Sequence, residues 1–188
     1  MRLFQSSVFT LLSLLVFSQE KFEVEKRISE DQVPQRAISF VNELDLNSKV
    51  KWYSERSDKG QSFEAKTKKA PKFSIEFSES GQIQDVERRI KKSELTREKI
   101  KSLDSLLSLN FKRYKIKELQ IQWKAEEFEL IERINLGKSS GDLVESIELE
   151  LKGVNENSKG YFELLIDKDW RIITLRPIIR RSLENIEI

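Results

Sequence analysis

The chain has 188 residues, 35% of them charged, and a net charge of only +2 with a pI near 8.6. That length holds one domain or two small ones sharing a core, and charges so evenly mixed argue against a dedicated nucleic-acid binder and against an acidic tail. Histidine and cysteine are both absent, which removes disulfides, zinc–thiolate sites and the commonest general base together.

Residues 1–18 read as a targeting segment. Arg2 supplies a minimal positive start, and residues 3–17 (LFQSSVFTLLSLLVF) carry no charge. Val16 and Ser18 fit the small-residue pattern before a cleavage site, expected between Ser18 and Gln19. The run is shorter than the roughly 20 residues that span a bilayer. No cysteine follows it to carry a lipid. The expectation is an exported chain, periplasmic or secreted, with no stable membrane anchor after cleavage.

Residues 20–32 are sparsely apolar and read either as a first strand or as a lead-in. Pro34 suits the first turn of a helix, and Val33, Ala37, Ile38, Val41 and Leu44 recur at helical spacing to about residue 46. Residues 49–57 alternate as a strand, with Val50 and Trp52 on one face and Lys51, Tyr53 and Glu55 on the other. Asp58-Lys59-Gly60 is a turn, residues 61–68 a second strand, and Ala70-Pro71 a break. In residues 72–90, Phe73, Ile75 and Phe77 alternate with polar residues. Glu79-Ser80-Gly81 turns the chain, and Ile83, Val86 and Ile90 resume with a change of phase that predicts a bulge. Residues 33–91 thus read as one helix and a four-stranded meander with one buried face.

The pattern then restarts. Residues 96–110 form a helix with a stripe of Ile100, Leu103, Leu106 and Leu107. Residues 112–124 form a long strand whose phase switches between Tyr114/Ile116 and Leu119/Ile121/Trp123, again predicting a bulge. Residues 125–136 read as a short helix and 137–142 as a loop. Strands follow at 143–151, 160–167 and 170–179, the middle one apolar on both faces, before a charged tail. Shifting the chain by 89 residues places Phe73 on Phe162, Phe77 on Ile166, Gly81 on Trp170, Ile83 on Ile172, Val86 on Leu175 and Ile90 on Ile179. This correspondence predicts a duplication. The expected fold is α+β: a tandem repeat of helix plus four-stranded antiparallel sheet over residues 19–92 and 93–188, helices packed on one sheet face.

The segments VPQRAISFV, VKWYSE, FSIEFSESGQIQDVE and YFELLIDKDWRIITLRPIIRRSLENIEI resemble the PepSY-like, beta-lactamase-inhibitor-like exported proteins of Bacteroidetes-type bacteria. The resemblance covers nearly all of the chain after the targeting segment. It implies a tandem helix-plus-sheet repeat and, by analogy with the inhibitory protein of that name, a concave sheet that grips an enzyme. The family pattern has Gly where this chain has Trp170, which puts the tight turn in question and suggests an exposed contact residue.

Candidate contact residues are the aromatics Trp52, Tyr53, Trp123 and Trp170, since strand Trp and Tyr anchor many interfaces. Cross-strand packing is the plainer reading for Trp52 and Trp123. Arg88, Arg89, Arg176 and Arg180 form a candidate basic stripe toward an anionic surface. Asp167 and Asp169 have the spacing that opens a calcium loop, but Trp170 and IITL follow where further oxygen ligands belong, so they read as turn residues. No phosphate loop, nucleophile motif or cross-cleft carboxylate pair is present. The expectation is therefore a non-enzymatic binding module without cofactor or metal. Its partner is another exported protein, as for an inhibitor or accessory of an extracytoplasmic hydrolase or peptidase. The alternative is a small-ligand or envelope-component binder with a pocket between sheet and helices.

Overall fold

The computed structural model describes residues 24–57, 60–138 and 141–178. The expected cleavage site, Arg180 and the charged tail lie outside them. Nine strands form one antiparallel sheet in sequence order: β1 (Val24–Ile28), β2 (Val50–Ser57), β3 (Gly60–Thr67), β4 (Phe73–Ser78), β5 (Ile83–Arg89), β6 (Arg113–Lys124), β7 (Val144–Val154), β8 (Lys159–Ile166) and β9 (Ile172–Ile178). Three helices accompany them: α1 (Gln35–Asn42) between β1 and β2, α2 (Arg97–Asn110) between β5 and β6, and α3 (Glu127–Leu136) between β6 and β7.

One expectation is overturned. The chain is not a tandem pair of helix-plus-four-strand units, because β5 pairs directly with β6 and makes the sheet continuous. The boundary expected at 92/93 falls in the 3-10 turn Lys92–Glu94, at the exit from β5. The cores are interlocked as well. A first cluster packs α1 (Ala37, Phe40, Val41) on Trp52, Phe63, Ile75, Phe77 and Val86, but Trp123 of β6 and Leu130 of α3 complete it. A second packs Leu103 and Leu107 of α2 on Leu119, Leu149, Leu151, Phe162, Leu164 and Ile166. Alternation places all these strand residues on one face, and the helices bury that face.

Both expected bulges are present. Phe77 pairs with Ile83 and Glu76 with Asp85, leaving Gln84 extra. In β6, Ile116 pairs with Leu151 and Glu118 with Glu150, leaving Lys117 extra. The 89-residue correspondence survives at the level of the hairpin, bulge included: Ile166 pairs with Ile172 and Leu165 with Thr174. The two turns match too. Gly81 N donates to Ser78 O at 2.9 Å and Trp170 N to Asp167 O at 3.1 Å. Trp170 takes φ 62° and Gly81 φ 80°, so the tight turn is kept with tryptophan in the left-handed position.

Candidate functional site

Among the described residues, no helix packs on the second face of the sheet. Alternation puts the polar residues of each strand there, and register lines them up in rungs. One rung runs Tyr53, Glu64, Glu76, Asp85 across β2–β5. Another runs Glu118, Glu150, Glu163, Arg176 across β6–β9. Between them lie Glu87 with Gln122 and Ser146, and Gln120 with Glu148. Like charges directly opposite one another on a sheet are unfavourable, and the rungs are held by cations and amides. Lys66 Nζ reaches Glu64 at 2.7 Å and Lys124 Nζ reaches Asp85 at 3.5 Å. Arg89 pairs with Glu118. Arg176 donates from Nε and Nη2 to one oxygen of Glu163 at 2.8 and 2.5 Å.

Several of these polar groups are buried although no helix among the described residues covers them: Glu64, Asp85, Glu87, Gln122, Ser146 and Glu163 are each 7% exposed or less. Neighbouring long side chains shade one another. Glu87 lies at the centre. The Gln120 and Gln122 side-chain amides both donate to its carboxylate, and Gln122 also donates to Glu148 at 3.3 Å. Burial pushes the Glu87 carboxyl well above its usual range, reinforced by Glu148, Glu76 and Asp85. Burial also raises Glu118; Arg89 opposes that rise and Glu150 adds to it. At Lys66 burial works against the ammonium, and Glu64 and Glu25 more than offset it, so its pKa is raised.

Carboxylate oxygens of Glu76, Asp85 and Glu87 lie within 4.8 Å of one another, as do those of Glu25, Glu55 and Glu64. These are the hard oxygen donors that a divalent cation such as calcium takes. Asp167 serves the turn: its Oδ1 accepts from Asp169 N at 2.9 Å and Arg171 N at 2.8 Å.

The aromatics expected at a contact surface separate. Trp52 is 4% and Trp123 3% exposed, both in the first core. Trp123 Nε1 donates to Glu145 at 3.1 Å and the Arg133 guanidinium stacks on its ring at 4.8 Å. Tyr53 lies half-buried on the helix-free face, with Lys66 Nζ 5.1 Å from its ring centre. Trp170 packs against the second core. The arginines do not form one stripe. Arg88 and Arg89 are on β5 and Arg176 on β9, four strand spacings or about 19 Å away. Each is in an ion pair: Arg88 with Glu94 at 3.1 Å, Arg89 with Glu118, Arg176 with Glu163. The rungs were missed in the sequence because alternating acidic residues look like an ordinary solvated face. The runs ELQIQ and SIELEL, in which every polar residue has the same phase, were the available signal.

No protein-family model and no curated protein matches the chain. Two solved structures are similar to it at a TM-score of 0.31. One is a periplasmic protein of Bacteroides thetaiotaomicron, provisionally described as calcium-regulated, 17% identical. The other is a provisionally described periplasmic protein of the DUF2874 family from Bacteroides vulgatus, 15% identical. Each alignment covers 80% of this chain and 95% of the other. A likeness of that strength carries no functional argument.

Proposed function

We propose that the protein is an exported, non-enzymatic binding module that meets another exported protein across the helix-free face of its sheet. An inhibitor or accessory of an extracytoplasmic hydrolase or peptidase would work in this way. The observation that carries the reading is the asymmetry of the sheet: among the described residues α1, α2 and α3 lie on one side, and the other side presents ordered polar rungs. These rungs are acidic from β3 to β8, so the complementary partner surface is basic. Export rests on the apolar segment within residues 3–17, and the PepSY-like reading on the sequence motifs quoted above. The absence of histidine and cysteine supports a non-enzymatic role. A ligand pocket beneath the helices is disfavoured by packing: Ala37, Ala65, Ile75, Phe77, Val86 and Leu130 are 0% exposed in that layer.

The test is affinity capture from envelope extract, using the parent protein and a Glu55→Lys/Glu150→Lys variant. The expected result is a protein recovered with the parent and lost with the variant. Equal recovery by both, or recovery of lipid with no protein, would overturn the reading.

A further inference from the structure

β6 pairs with β7 along its whole length, from Arg113 opposite Val154 to Lys124 opposite Val144. It pairs with β5 only from Gln120 to Trp123. One more bond follows, from Ile90 N to Leu119 O at 2.9 Å. The chain then leaves the sheet for the 3-10 turn Lys92–Glu94. Among the described residues, positions 113–118 of β6 therefore have a strand neighbour on one side only. The track of β5, continued past Ile90, is a vacated strand position about 4.8 Å from β6.

A groove of about 720 Å³ lies at this position. Residues 116–119 of β6 form one wall, and residues 70–72, from the loop between β3 and β4, form the other. Ile90 and Leu119, both buried in the second core, contribute apolar lining. The cations are concentrated here. Lys72, Arg88, Arg89, Lys91, Lys92 and Lys117 line the groove, against the carboxylates of Glu94 and Glu118. Arg88, Arg89 and Lys92 are in ion pairs, the last with Asp104 at 2.5 Å. Lys72, Lys91 and Lys117 have no ion pair among the described residues. A bulge and lysines are ordinary protection for an outer sheet edge. This edge is different, because a second wall stands opposite it and carries a cation of its own.

We propose that the groove takes an extended, acidic peptide segment of a partner protein, added as a strand beside the open half of β6. The backbone of β6 supplies ladder bonds to the peptide backbone. Carboxylates on alternate peptide residues meet Lys72, Lys91 and Lys117. The opposite wall limits the site to one strand and excludes the edge of a second sheet. A basic peptide is rejected because it would face unpaired ammonium groups. This site borders the helix-free face at Arg89 and Glu118, but its ladder bonds come from the open edge of β6 and its charge contacts from Lys72, Lys91 and Lys117.

Isothermal titration of the full chain tests it. The probes are a blocked six-residue peptide alternating Glu with Val or Thr, its Lys-for-Glu counterpart, the acidic peptide N-methylated at alternate backbone nitrogens, and dodecyl phosphate. Saturable binding of the acidic peptide alone is expected, weakened about tenfold or more by N-methylation and by Lys72→Glu/Lys117→Glu with the thermal midpoint preserved. The Glu55→Lys/Glu150→Lys variant retains peptide binding, so failure of the face reading and failure of this one are distinguishable. Equal binding of the N-methylated peptide overturns strand addition. Unchanged binding by the lysine variant overturns the charge reading. Binding of dodecyl phosphate without the acidic peptide makes the groove a lipid-phosphate site, and the proposal fails.

Discussion

At the scale of single residues, Glu87 links structure to pH. Its carboxyl is raised first by burial and then by Glu148, Glu76 and Asp85, so the folded chain holds a proton there that the unfolded chain releases. Its contribution to stability is complete below the ordinary value of 4.5 and is lost as pH rises through the raised folded value. Glu87→Gln removes the penalty, and its side-chain carbonyl keeps one of the two acceptor positions, since Gln120 and Gln122 donate to different oxygens of Glu87. The variant is expected to be more stable than the parent near neutral pH, on the order of 1 kcal/mol, with the gain shrinking toward pH 4. Thermal midpoints measured across that range check this; a parent-like midpoint at every pH would falsify it. The tryptophans give a second comparison. Trp52 Nε1 is buried without a hydrogen-bond partner, whereas Trp123 Nε1 is bonded to Glu145. Trp123→Phe is expected to cost about 1 kcal/mol more than Trp52→Phe in urea unfolding, because only it removes a hydrogen bond, while Glu145 keeps its bond from Arg133 at 3.3 Å. Equal losses would mean that ring packing alone decides both.

At the scale of elements, the two hairpins show what is shared and what is particular. An added Cβ on Gly81 would lie 2.7 Å from Pro34 Cβ and 3.2 Å from Ala37 N, at the start of α1. No side chain fits there. The matching position in the second hairpin keeps the backbone turn but packs Trp170 on the second core. Gly81→Ala is therefore expected to destabilise by about 1–3 kcal/mol, through positive φ and the clash together. Trp170→Gly and Trp170→Ala both lose the packing, and the glycine variant is expected to be more stable by about 1 kcal/mol because only alanine keeps the φ penalty. Denaturant midpoints of the three variants test the pair of statements, and alanine matching glycine at 170 would refute the second. The hairpins and both bulges were legible in sequence because phase is a local property. Ile83 and Val86 break the alternation themselves, as do Ile116 and Leu119. The fate of Trp170 was not legible, because what excludes a side chain at Gly81 is a helix more than forty residues earlier.

At the scale of the molecule, the single sheet was the larger departure. Residues 33–91 carry a helix and four strands with a consistent buried face, and nothing local marks β5 as needing another neighbour. The missing information was non-local: Val86 opposite Trp123 and Arg88 opposite Ile121, joined across α2. The acidic rungs were hidden for the same reason, since each strand alone looks solvated and only register brings Glu64, Glu76 and Asp85 together. Interlocked cores have a measurable consequence. A fragment of residues 19–92 lacks Trp123 and Leu130 and exposes the side of β5 that β6 covers. It is expected not to fold alone, by circular dichroism and proteolysis, as a core missing two large side chains loses several kcal/mol from a total of about 5–15. A protease-resistant, cooperatively unfolding fragment would restore the two-unit view.

Lys117 bears on this interlocking through parity. From Leu119 to Trp123 the core-facing positions of β6 are odd numbers; at Tyr114 and Ile116 they are even. One strand can serve both only because a residue counts for neither series. Deleting Lys117 removes the bulge and leaves Tyr114, Ile116, Leu119, Ile121 and Trp123 in one alternating series that still faces the core, opposite consecutive residues of β7. The expected loss is on the order of 1 kcal/mol, below the scale of removing a large core side chain. Deleting Gln120 instead reverses the facing of one part of the strand and should cost about 2–5 kcal/mol. Comparable losses from the two deletions in chemical denaturation would overturn this parity account.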